Sequence, residues 1–180
     1  MEIFHSLDDF QETRRGKIAL TIGNFDGLHQ GHRHLLKILK QEANKLSLPT
    51  AVLTFKQHTS VKTTPENPKT ILTNIEQKSR LIKDSSLIDF LILQDFNDDF
   101  KSTFAEDFIE RVLVKKLKIG LIVLGENHRF GKDRVGDLKL LKNKSLLHGF
   151  NAIAVDLLKV NGQIVSSTLL RKKASINFIV

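Results

Sequence analysis

The 180-residue chain contains no cysteine, no tryptophan and no tyrosine. Without cysteine there can be no disulfide, no thiolate metal centre and no cysteine nucleophile. Any stacking surface for a flat ring must then be built from the 12 phenylalanines or the 7 histidines. Prolines number only 3 and glycines 10, a composition that does not suggest extended disorder. No apolar run approaches the roughly 18–20 residues that span a bilayer. The opening MEIFHSLDDF carries early acids instead of a basic-then-apolar signal pattern. What remains is a globular protein, expected to be cytoplasmic and to form one domain over residues 1–180.

Positive charge is in excess, with 28 Lys+Arg against 20 Asp+Glu and a formal net charge of +8. Such an excess attracts nucleic acid, an anionic membrane or a polyphosphate. The lysines are scattered through mixed-sign segments, so neither nucleic acid nor membrane is the expected partner. A phosphorylated small molecule accounts for the excess equally well, as does a lysine-rich background.

Apolar spacing gives an alternating order of elements. Residues 17–22 form a short buried-type strand ending in glycine, and residues 32–46 carry Leu35, Leu36, Ile38, Leu39, Ala43 and Leu46 at helical spacing. Strands are predicted at 50–55, 87–93, 119–124 and 151–158. Residues 56–70, with Pro65 and Pro68, read as a long loop. A helix over 74–83 takes Asn74 as its N-cap, and Thr103 with Glu106 has capping-box spacing for a helix running to about Lys116. A further helix spans 136–148 before Gly149, and Asn161-Gly162 signals a hairpin ahead of a last short helix at 168–173. The expected fold is α/β and Rossmann-like: a doubly wound, mostly parallel five-stranded sheet, helices on both faces, and a short hairpin near the C-terminus. In such sheets ligands lie beyond the carboxyl ends of the strands.

The first strand runs into Gly23, Gly27 and Gly31 and then a helix. Glycines let main-chain N–H groups approach a ligand, and a helix start favours phosphate. The spacing is a poor dinucleotide-binding fingerprint and is not a P-loop. Its distinguishing feature is His29 and His32 on either side of Gly31. As imidazolium groups at a helix start, both would donate to phosphate oxygens that gain charge in a transfer reaction. A zinc site from His29, His32 and His34 is poorly supported, since no HExxH or carboxylate-ligand spacing accompanies them.

Gly23-Asn24-Phe25-Asp26-Gly27-Leu28-His29-Gln30-Gly31-His32 resembles the HxGH signature of the nucleotidyltransferase superfamily, and more narrowly that of the bacterial FAD synthetases. Three further segments are similar to that family's motifs, in order. They are Leu53-Thr54-Phe55-Lys56-Gln57-His58, Gly125-Glu126-Asn127-His128-Arg129-Phe130-Gly131 (with Arg134-Val135-Gly136-Asp137 after it), and Val165-Ser166-Ser167-Thr168-Leu169-Leu170-Arg171. The resemblance implies an FMN adenylyltransferase, in which the FMN phosphate attacks the α-phosphorus of ATP in line and yields FAD and pyrophosphate. It places His29 and His32 on the triphosphate as catalytic residues, Asp26 beside the nucleotide, and Gly23, Asn24, Phe25 and Gly31 in its pocket. Ser166, Ser167, Thr168 and Arg171 would hold phosphates. His58, Asn127, His128 and Arg129 would lie on the phosphate or flavin side. A Mg2+ ion would accompany ATP, with no protein metal cage implied.

The chain departs from those motifs at Gln57 and Thr59, which replace prolines, at His128, which replaces a phenylalanine, and at Leu169, which replaces a frequent arginine. Bifunctional bacterial members also carry a riboflavin kinase domain after this one. The 180 residues hold no counterpart of it, so riboflavin phosphorylation is not expected. Two alternatives stay open on the residues: a non-catalytic nucleotide- or flavin-binding protein, and a transferase acting on another phosphorylated acceptor such as phosphopantetheine or a polyol phosphate.

Overall fold

Short β-rich runs bounded by turn residues build the sheet. The computed structural model describes residues 1–13, 16–64, 71–156, 159–160 and 163–164. Its strands are β1 (Glu2–Phe4), β2 (Ile18–Ile22), β3 (Thr50–Phe55), β4 (Phe90–Gln94), β5 (Ile119–Gly125) and β6 (Asn151–Val155). They form one sheet in the order β1-β4-β3-β2-β5-β6, and every pairing within it is parallel. The main sheet therefore has six strands where five were expected. The sixth, β1, is a three-residue edge strand on β4, too short to show periodicity. A separate antiparallel pair, β7 (Lys159–Val160) and β8 (Gln163–Ile164), makes the expected hairpin.

Central strands β2 and β3 are buried along their whole length, as parallel strands covered on both faces should be. Alternation sends Ile18, Leu20 and Ile22 into one apolar cluster and Ala19 into another. On the first face lie α1 (Leu7–Thr13), through Leu7 and Phe10, and α7 (Leu138–His148), through Leu141. They are joined there by Phe108, Ile109 and Leu113. The second face is covered by Leu36, Leu39 and Ala43 of α2 (Gln30–Lys45) and by Ile82 of α4 (Ile75–Asp84).

Asn74 caps α4 as expected, and Gln77 completes a capping box with it. The long loop after β3 contains a short helix, α3 (Ser60–Thr63). The capping box expected at Thr103 does not form. Asn97 instead caps a short α5 (Asp98–Ser102), and Thr103 ends that helix with its hydroxyl donating to the Asp99 carbonyl at 3.1 Å. α6 (Ala105–Asp107) then starts at Phe104 without a side-chain cap and widens into a π-helix, Phe108–Lys116. β4 begins at Phe90, later than the predicted 87, because Asp89 is used to accept from the N–H and hydroxyl of Thr50 and from Lys40.

The loop after β5 is braced where it returns. Phe130 and Gly136 exchange two main-chain hydrogen bonds of 3.0 Å, and the Lys132 N–H donates to the Thr103 carbonyl at 2.7 Å. Gly131, at φ +73°, closes this loop against α6. A Cβ there would lie 2.6 Å from the Ala105 Cα. Gly131→Ala combines a left-handed backbone with an immovable neighbour, a cost of about 2–4 kcal/mol. Its melting temperature is expected to fall by roughly 5–10 °C in a calorimetric scan. An unchanged transition would contradict the packing described for this loop.

Candidate active site at the switch between β2 and β5

From β2 the chain proceeds to β3 and β4 on one side, whereas β5 and β6 lie on the other. The winding reverses between β2 and β5, and the carboxyl-end crevice of an open parallel sheet lies at such a reversal. The loop after β2 carries Gly23, Asn24, Phe25, Asp26 and His29, and the loop after β5 carries Asn127, His128 and Arg129. The loop after β3, with His58, adjoins them on the far side of β2.

The β2 loop is tightly folded. Phe25, Gly27 and Leu28 have φ of +46°, +75° and +33°. For Phe25 and Leu28 this conformation costs on the order of 1–2 kcal/mol each, and it persists because both side chains are buried. The Phe25 ring fixes the rest. It lies 5.1 Å from the His32 ring, which stacks on His29 at 3.7 Å and 17°. Gly23 gives that ring room, since a Cβ there would meet Phe25 at 3.2 Å.

His29 is also the N-cap of α2, its Nδ1 accepting the His32 N–H at 3.3 Å. An accepting Nδ1 is unprotonated, so in this arrangement His29 is neutral with its proton on Nε2. The capping bond thus engages Nδ1 of the ring. Gly31 falls in the first turn of the helix. His58 follows the same logic: its Nδ1 accepts the Ser60 N–H at 3.1 Å and contacts the Ser60 hydroxyl at 2.8 Å, which places its proton on Nε2.

Asp26 is only 2% exposed. Its carboxylate accepts from the Leu72 N–H, from the Thr73 N–H at 2.9 Å and from the Thr73 hydroxyl at 3.1 Å. The Gly27 N–H donates to the same hydroxyl. Asn24 clamps Thr59 in both directions, donating to its hydroxyl at 2.9 Å and accepting its N–H at 3.1 Å. A proline at Thr59 would have no N–H to give, so the substitution creates this tie.

Beyond β5, Asn127 and Arg129 are exposed and His128 is half-buried. The His128 ring lies 6.5 Å from Phe130 at 25°, near-parallel to it, and the Arg129 guanidinium donates back to the His128 carbonyl. Ser166, Ser167, Thr168 and Arg171, with the predicted helix at 168–173, lie outside the described residues. Sequence reasoning missed Lys78, which is buried beneath these loops. The available signal was a lysine on an apolar helix face, at spacings of three and four from Ile75 and Ile82.

The fold is a Rossmann-like parallel sheet whose crevice carries a glycine–histidine loop at the start of α2. The sequence matches the FAD synthetase family over residues 11–169, and the chain belongs to that family. It is 35% identical over 179 residues to a bifunctional riboflavin kinase/FMN adenylyltransferase of Buchnera aphidicola subsp. Acyrthosiphon pisum, covering 99% of this chain and 56% of that protein. The Escherichia coli K12 protein of the same description is 30% identical over 172 residues, covering 96% and 55%. The chain thus spans about half the length of the curated relatives it matches. A solved structure described as a macrolide-efflux protein from Streptococcus pneumoniae superposes with a TM-score of 0.81 and 26% identity, over 95% of this chain and 56% of that one. The efflux description belongs to the pneumococcal protein. Among the described residues here, no helix is long and apolar enough to cross a membrane.

Burial, with the positive charges of Arg134 and Arg129 nearby, pulls the His128 imidazole down to about 4. The ring is therefore neutral at pH 7. An unfolded-chain histidine titrates near 6.5, so this contribution to stability is present above about pH 6.5 and is lost as pH falls toward 4. A proton NMR titration should show His128 still neutral at pH 6, with its midpoint raised by Arg134→Ala. A wild-type midpoint near 6.5 would contradict the assigned environment.

Proposed function

We propose that this chain transfers the adenylyl group of ATP to FMN, giving FAD and pyrophosphate. The observation that carries the reading is the stacked His29–His32 pair at the start of α2, set in the crevice of a chain that belongs to the FAD synthetase family. An FMN phosphate oxygen attacks the α-phosphorus while the bond from that phosphorus to the pyrophosphate oxygen breaks. Charge accumulates on the non-bridging and leaving oxygens, and fixed donors aimed there lower the barrier. His29 supplies its Nε2–H and the α2 N-terminus adds main-chain N–H groups. His32 stacks on His29 as the second imidazole of the pair. His58 supplies an Nε2–H from the neighbouring loop.

Gly23, Asn24, Phe25 and Gly31 shape the nucleotide pocket. Asp26 acts there by holding Leu72 and Thr73 against the loop. Asn127, His128 and Arg129 face the acceptor from the other side of the switch, a neutral His128 offering a flat ring beside Phe130 as the family's phenylalanine would. Ser166, Ser167, Thr168 and Arg171 complete the phosphate contacts. Mg2+ enters as part of the ATP substrate, neutralising phosphate charge. The Asn24–Thr59 clamp favours the transferase over a degenerate binding protein, because it restores order to a loop that has lost its prolines.

Incubation with ATP, Mg2+ and FMN should produce FAD and pyrophosphate in equal amounts, resolved by chromatography. Turnover with phosphopantetheine or a polyol phosphate but not FMN would transfer the assignment to another acceptor. ATP binding with no product would favour the non-catalytic reading. Within the enzyme, His32→Ala should lower kcat by about 10²–10³-fold while leaving the melting temperature near wild type. Near-normal turnover would remove His32 from the mechanism.

A further inference from the structure

Lys78 of α4 takes no part in the reaction as drawn, yet it sits directly under the two phosphate loops. Only 4% exposed, its ammonium donates to the Phe55 carbonyl at 3.0 Å and to the Thr54 hydroxyl at 3.4 Å. The Thr54 hydroxyl donates to the Asn24 carbonyl at 3.1 Å. Asn24 in turn holds both the N–H and the hydroxyl of Thr59. A continuous chain of hydrogen bonds thus runs from α4 through the end of β3 into the loop carrying His29, and across to the loop carrying His58.

An apolar residue would fill the same space, and a buried charge is expensive unless it is well met. Burial outweighs the attraction of Asp26 and draws the Lys78 ammonium down to about 8. The charge is kept at a cost, and its donors go to the two groups that join the loops.

We propose that Lys78 is a positioning residue for adenylyl transfer: through Phe55, Thr54 and Asn24 it sets the placement of the His29–His32 pair relative to His58. The proposal rests on the adenylyltransferase reading. Transfer between two bound substrates is sensitive to displacements near 1 Å, whereas charge-driven phosphate binding tolerates them. Loss of the relay should therefore reduce kcat and spare the KM for ATP.

Two near-isosteric variants test it, Lys78→Met for the head of the relay and Thr54→Val for its middle link. Expected are kcat losses of about 100-fold and about 10-fold, KM for ATP within about threefold, and melting temperatures within about 5 °C of wild type. The double variant should be no slower than Lys78→Met alone, since both interrupt one relay. Folded variants with wild-type kcat, or losses that multiply in the double variant, would overturn the proposal. Should Lys78→Met fail to fold, Thr54→Val decides alone, an unchanged kcat being the contrary result. Should the wild type form no FAD, the transferase reading fails separately. The His29 and His58 ring signals then decide: their displacement by NMR in Thr54→Val supports the relay, and unmoved signals overturn it.

Discussion

A carboxylate taken out of water must be met by donors. At Asp26 those donors are the N–H groups of Leu72 and Thr73 and the Thr73 hydroxyl, 46 and 47 residues further along the chain. That contact holds the β2 loop in a conformation that Phe25 and Leu28 would not adopt alone. With the loop so held, Phe25 reaches His32, His32 stacks on His29, and His29 closes the first turn of α2. Without the tether, relaxation of the left-handed residues would draw Phe25 away from the His32 ring. The site's electrostatics thus depend on one buried acid that need not touch the nucleotide.

Topology does the coarse placement. Parallel strands wound outward in both directions from β2 leave their carboxyl-end loops side by side. The loops after β2 and β5 thereby flank the crevice at which such sheets take ligands. The loop after β5 is fixed by local packing, with Phe130 against Gly136 and Gly131 against α6. Asn127 and Arg129 remain exposed at the surface.

Whatever is local in the chain was legible in the sequence. The four central strands, α2, the Asn74 cap and the HxGH loop follow from periodicity, turn residues and spacing within a few positions. What depends on distant partners was not. The spacing of Thr103 and Glu106 suggests a cap, but Thr103 is taken up in closing α5 and the helix beyond it widens into a π-helix. β1 exists because β4 offers it an edge, not because three residues prefer to be extended. The pattern around residue 26 allows Asp26 a local turn cap, whereas its partners lie beyond α3. Lys78 looks like an ordinary helix lysine until the packing of α4 turns it inward. His29 and His32 stand out in the sequence by their spacing around Gly31, whereas the capping bond to His29 Nδ1 is visible only in three dimensions.

The central claim is that the crevice between β2 and β5 moves an adenylyl group directly from nucleotide to flavin, with no covalent stop on the protein. A rapid-quench single turnover with ATP labelled at the α-phosphorus and saturating FMN tests this most directly. The account predicts that all transferred label appears in FAD at every time point, with pyrophosphate unlabelled and the protein carrying none. Label bound to the protein during the turnover, or released only as AMP while FMN is unchanged, would contradict it.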